Sequence, residues 1–357
     1  MLYKVIPTRC LALMTALLLA SCTSDLTRSG QDNGLVIYPP PPDTTRIQYL
    51  TSISSSQDIA GQQSAFNRFL FGEATPLTVT KPYGITVRNS RIYVCDTGIG
   101  GLLIIDLEQK KMDLFIPGGK GQLMFPINCH VDDEGFLYVA DGNRRQIVIF
   151  DDGGNYVSAF GGQEGFKPTD VAVVEDKVFV SSVTDQRIYI YNRDSLNLVR
   201  SFPEAEAGDP EYLYQPVNID VTGDEIYVSD MGDFKIKVYS HDGRYLRSVS
   251  GYGNRYGQLT RPKGIAVDRE QNLYIADAAF ENVQIFDKDG RLLMFFGGHY
   301  TRPGDMWLPA GVAIDYDNLQ FFSEFVDESF DLQYLIFVTN QYGPDKISVY
   351  GFVKPAK

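Results

Sequence analysis

Three prolines, Pro126, Pro168 and Pro216, are each followed two residues later by a side chain with a hard oxygen: Asn128, Asp170 and Asn218. Four residues after the first and third stand His130 and Asp220. Two carboxylates beside two amides and one imidazole suit a small polar ligand or a hard cation, with Ca²⁺ favoured over a thiophilic metal. The same side chains also suit backbone capping around a water-filled channel, because Asn and Asp tolerate dihedrals that otherwise favour glycine. The sequence leaves both readings open. A three-histidine zinc site is not expected. Only His130, His241 and His299 exist, and His241 falls in an outer hairpin, Ser240-His241-Asp242-Gly243. The glycine-rich stretches Gly251 to Gly257 and Gly118 to Gly121 lack the spacing and the following helix of nucleotide loops. No catalytic residue is assigned.

These prolines belong to a larger set. Pro82, Pro126, Pro168, Pro216, Pro262 and Pro309 lie 42 to 48 residues apart, and each opens a run of short strands. The clearest unit reads Pro262-Lys263-Gly264-Ile265-Ala266-Val267-Asp268, then Leu273 to Asp277, then Val283 to Asp287, then Leu292 to Phe296. Four short strands repeating at this period fit the blade of a β-propeller. Runs such as Gln146-Ile147-Val148-Ile149-Phe150 are apolar on both faces, as blades packed between blades require. In the slots where the polar set sits, other repeats have Gly84, Gly264 and Gly311, or Ala172, Ala266 and Ala313, which crowding near the ring axis explains. Blades two to four thus place a polar, acidic arc on one side of the channel mouth. Asp96, Asp141, Asp230 and Asp277, with Ser182 and Asn340, end the second strand of each repeat and read as turn caps.

The motifs Pro-x-Gly-Ile-Ala-Val-Asp, Leu-Tyr-Ile-Ala-Asp and Val-Gln-Ile-Phe-Asp resemble the NHL repeat family over about residues 44–352. The resemblance implies an all-β, six-bladed propeller of four-stranded antiparallel blades that binds other molecules, often proteins. A rival function is a metal-dependent hydrolase or lyase with its site at the channel mouth. The sixth blade lacks an outer strand, since only five residues follow Lys346 to Phe352. Arg46 to Ser52 is therefore expected to close the ring. Blade six also carries an insertion at 316–331, where Leu319, Phe322, Val326 and Phe330 recur near helical spacing. A helix capping the ring or docking a partner is expected there. Cys95 and Cys129 end strands of adjacent blades, and either a bridge or two buried thiols fits.

At the N-terminus, Lys4 and Arg9 precede an apolar run from Leu11 to Ala20, too short to span a bilayer. It ends in Leu19-Ala20-Ser21-Cys22, which resembles the lipobox of bacterial lipoproteins. That resemblance implies cleavage after residue 21 and a lipid on Cys22. Thr23 in place of Asp implies the outer membrane rather than retention at the inner one. Residues 22–43 read as a tether, with Pro39 to Pro42 as a polyproline II spacer, and 44–357 as the propeller. The net charge of −13 becomes more negative once Lys4 and Arg9 are removed. Such a chain is repelled by phosphate backbones, so nucleic acid is an unsuitable partner. Envelope proteins are the expected partners, with the membrane reached through the Cys22 lipid.

Overall fold

The computed structural model describes residues 34–60 and 75–356. The signal segment and Cys22 lie outside them. Val36–Lys357 forms one compact unit. Blade one runs Pro82–Arg88, Arg91–Asp96, Gly101–Asp106 and Lys111–Phe115. Blades two to five repeat that order from Pro126, Pro168, Pro216 and Pro262, each as four antiparallel strands. Each inner strand contacts the inner strands of both neighbouring blades, and blade six contacts blade one, so the ring is closed.

Blade six is assembled from both ends of the unit. Pro309–Asp315, Phe330–Asn340 and Ile347–Pro355 take their outer strand from Ile47–Ile53. The register is antiparallel, with Ile47 opposite Phe352 and Ile53 opposite Ile347. The expected closure is therefore observed. A fifth strand, Ile37–Tyr38, lies outside it. Tyr38 pairs with Ile47, and the Arg46 N–H donates to the Tyr38 carbonyl at 2.9 Å. Pro39 to Pro42 thus lies in the turn of a hairpin rather than in an extended spacer. The edge of the sheet captures the residues on both sides of the proline run.

Both faces of each blade are buried. Between blades six and one, Ile92, Val94 and Ile105 pack with Leu335, Phe337 and Val349. Between five and six, Tyr274, Val283 and Phe296 pack with Ile336 and Tyr350. Near the axis the backbones almost touch. A Cβ on Gly264 would lie 2.5 Å from the Ala310 carbonyl, and one on Gly311 2.5 Å from that of Tyr83. Glycine is required there for approach, not for its dihedrals.

The insertion of blade six is not a helix. It makes two three-residue 3₁₀ turns, Leu319–Phe321 and Ser323–Phe325. Phe322 is buried against Phe337, with ring centroids 5.6 Å apart. Gln48 on the closing strand donates to the Phe325 carbonyl at 2.8 Å and accepts from the Asp327 N–H at 3.1 Å. Those bonds satisfy backbone groups that a helix would have satisfied internally. Phe330, expected on the helix, begins the next strand instead.

Deleting residues 44–54 should leave Ile347–Pro355 as a bare apolar edge and remove the buried side chains of Ile47 and Ile53. The expected outcome is aggregation and loss of the cooperative melt. A deletion variant that stays soluble with an unchanged melting temperature would rule out the closure.

Candidate functional site

Each inner strand starts at its proline with an irregularity in pairing, between Pro168 and Asp170 in blade three and at matching places in blades two and four. Such a bulge re-aims the side chains that follow. Asn128, His130, Asp170, Asn218 and Asp220 all line one axial cavity of about 290 Å³. The structure brings the whole predicted set together.

Hydrogen bonding shows how the carboxylates are used. Asp170 accepts from the Val171 N–H at 2.8 Å, and across the blade boundary from the Ile219 N–H at 2.9 Å and Asn218 Nδ2 at 3.3 Å. Asp220 accepts from Thr222 Oγ1 at 2.5 Å and, across the next boundary, from the Val267 N–H at 3.2 Å. Each carboxylate therefore ties its blade to the following one. Burial pushes Asp170 up to about 7 against the pull of its N–H donors, and nearby Asp220 pushes the same way. Burial likewise raises Asp220 to about 6, opposed by Thr222 and Val267. His130 is lowered to about 4, mainly by burial, with Arg88 acting in the same direction and Asp132 against it. Its imidazole is neutral at pH 7.

A Ca²⁺ ion takes six to eight oxygen ligands, and here it would compete with N–H and O–H donors for both carboxylates. All four carboxylate oxygens already accept hydrogen bonds. Among the described residues, no group of three or more His, Cys, Asp or Glu side chains is placed to hold a metal. Among the fully buried side-chain atoms of the cavity, the donor Asn128 Nδ2 and the acceptor Asn218 Oδ1 have no partner among the described residues. That pair can recognise an uncharged polar group.

Cys95 and Cys129 are buried free thiols in the core between blades one and two, and no disulfide joins them. Burial pushes the Cys95 thiol well up, and neighbouring Cys129 adds to it. The turn caps do more than cap their own turns. Asp141 accepts from Asn143 and Arg144 beyond the strand, and from Met124 and Phe125 ahead of the repeat proline. Asp96, Asp230 and Asp277 clamp the approaching loop in the same way.

One notable residue escaped the reading of the sequence. Lys263 directly follows its repeat proline and is 3 % exposed. The same slot elsewhere holds Tyr83, Ile127, Thr169, Val217 and Ala310. A lone lysine among uncharged residues was the available signal.

No protein-family model matches the chain, and no curated protein matches it. Solved structures do. A protein of unknown function from Bacteroides thetaiotaomicron aligns with TM-score 0.59 at 13 % identity, over 87 % of this chain and 76 % of that one. A gluconolactonase from Xanthomonas campestris aligns with TM-score 0.55 at 18 %, over 86 % and 98 %. Virginiamycin B lyase from Staphylococcus aureus, solved with quinupristin, aligns with TM-score 0.54 at 13 %, over 76 % and 95 %. At these identities the likeness shows a shared fold alone.

The raised Asp170 gives a pH test. A carboxyl whose folded pKa exceeds its unfolded value contributes stability that is complete below the unfolded pKa and is lost as pH rises through the folded one. The stability of wild type relative to Asp170→Asn should therefore fall between about pH 4 and about pH 8, by on the order of 4 kcal/mol. Melting curves across that range check it. A difference that is flat or grows with pH would contradict the assignment.

Proposed function

We propose that this chain is a non-catalytic binding module of the bacterial cell envelope, anchored through a lipid on Cys22 and built on NHL-type repeats. The carrying observation is the placement of its exposed aromatic side chains. In an antiparallel blade whose inner strand runs away from the proline, two kinds of loop return to the proline face. They are the loops joining second to third strands and those leading into the next blade. Tyr252, Tyr256, Trp307 and Tyr342 all lie in these loops and are 47–69 % exposed, and Met124 is 61 % exposed beside them. Tyr256 stacks on Phe295 at 3.8 Å, and Trp307 stacks near Tyr300, so the rings are held in place before any partner arrives. Rigid, amphipathic rings of this kind are favoured at recognition surfaces. The lipobox resemblance supports the anchor, and Thr23 supports the outer membrane.

A metal-dependent hydrolase or lyase is the second reading, drawn from the gluconolactonase and the lyase among the similar structures. Those identities carry fold only, and the inner carboxylates here are engaged with N–H groups of the next blade. The binding module is the better account.

Photo-crosslinking residues placed at Tyr252 and Tyr342 in the membrane-anchored chain should capture an envelope protein. One placed at Asp289, on the opposite face, should not. Cys22→Ser should release the protein from membranes into the soluble fraction. Equal capture from both faces, or none from either, would count against the binding face. Unchanged membrane retention in Cys22→Ser would count against the anchor.

A further inference from the structure

Two lysines of this ring are almost fully buried, and they are treated differently. Lys237 reaches Asp230 at 3.1 Å and Asp233 at 2.8 Å, so its charge is neutralised inside the fold. Among the described residues, Lys263 has no carboxylate in salt-bridge reach. Its Nζ donates to Gln341 Oε1 at 2.9 Å and sits 5.2 Å from the centre of the Tyr83 ring. A buried ammonium without a counter-charge is costly, and buried charges are normally paired.

The surrounding charges make the imbalance larger. Burial lowers the Lys263 ammonium to about 7, and the charges of Arg261 and then Lys81 push the same way. Among the described residues neither Arg261 nor Lys81 forms a salt bridge. Lys81 instead lies 5.5 Å from the centre of the half-exposed Tyr342 ring. The nearest carboxylates along the chain, Asp96 and Asp277, spend their oxygens on loop N–H groups, those of Lys81 and Arg261 among them, and make no salt bridge with these cations. Their positions coincide with the ring opening. Lys81 and Arg261 precede Pro82 and Pro262, Tyr83 and Lys263 follow them, and Gln341 follows the second strand of blade six. All therefore lie around the channel mouth on the proline face, across blades five, six and one. Arg261 is exposed and Lys81 is partly so, which leaves these two charges open to a ligand from solvent above the buried Lys263.

We propose that Lys263, Arg261 and Lys81 form an oxyanion site at the channel mouth, which takes a carboxylate or phosphate group of a ligand. Arg261 supplies a planar fork of donors, Lys81 a mobile charge, and Lys263 a fixed donor at the base that a bound anion would hold protonated. The Tyr342 ring flanks the entrance beside Lys81. The proposal deepens the binding-module reading by naming the chemistry of one recognised group, and it rests on that reading for the choice of face.

The test is thermal melting and calorimetric titration of the full chain in detergent, with inorganic phosphate and with acetate, at ionic strength balanced by chloride. One of the two anions should raise the melting temperature by a few degrees. A response to phosphate assigns a phosphoryl group, and a response to acetate a carboxylate. Lys263→Met should abolish the response while leaving the ligand-free melting temperature unchanged or higher, because it removes an unpaired buried charge. Arg261→Gln, an exposed change that does not threaten folding, should weaken binding about tenfold. No anion-specific response in wild type would overturn the proposal. So would an undiminished response in Lys263→Met or, should that variant not fold, in Arg261→Gln. Anion binding without crosslinks from Tyr252 or Tyr342 would fail the binding-module reading alone, whereas crosslinks without an anion response would fail this proposal alone.

Discussion

Each blade presents apolar side chains on both faces, so every blade needs a neighbour on each side. Ile92 and Val94 of blade one need Leu335 and Phe337 of blade six, just as Tyr274 of blade five needs Ile336. An open arc would leave two such faces in water, at about 25 cal/mol for each Å² of apolar surface. The ring must close, and it closes only because Ile47–Ile53 completes the blade that begins at Pro309. Contacts of that sequence separation pay the largest loop-closure entropy.

Closure also dictates what happens at the axis. Six inner strands converge where backbones come within van der Waals range, and glycine is needed in three of them, at Gly84, Gly264 and Gly311. In blades three and four the side chains become ties instead. Asp170 reaches the Ile219 N–H, and Asp220 the Val267 N–H. An inner strand at a blade boundary carries backbone donors that its own sheet does not satisfy, and the carboxylates meet that need. The acids are therefore part of the ring's construction. The unpaired cations lie across the opening from them, near blades five, six and one.

The architecture was largely readable from the sequence, because the repeat states the same pattern six times and one strand, Arg46 to Ser52, stands outside it ahead of the first repeat. The turn caps were readable for the same reason, although not their second role of clamping the incoming loop. That role needs the position of Met124 relative to Asp141, which no local pattern encodes. The helix expected at 316–331 failed because near-helical spacing of aromatics also arises when Phe322 packs inward and Phe330 joins a strand. The polar arc was located correctly, yet its chemistry was not legible. Residue type cannot tell whether a carboxylate faces a cation or a neighbouring N–H. Lys263 was not legible as a site because its neighbours Tyr83 and Gln341 come from other repeats, distant in the chain.

The central claim is that the inner carboxylates join blades and do not hold a cation. Melting the full chain in EDTA and then with added Ca²⁺, alongside Asp170→Ala, tests it most directly. The account expects the same melting temperature with chelator and with Ca²⁺, and a lower one for Asp170→Ala in both. A Ca²⁺-dependent rise in wild type that disappears in Asp170→Ala would contradict it.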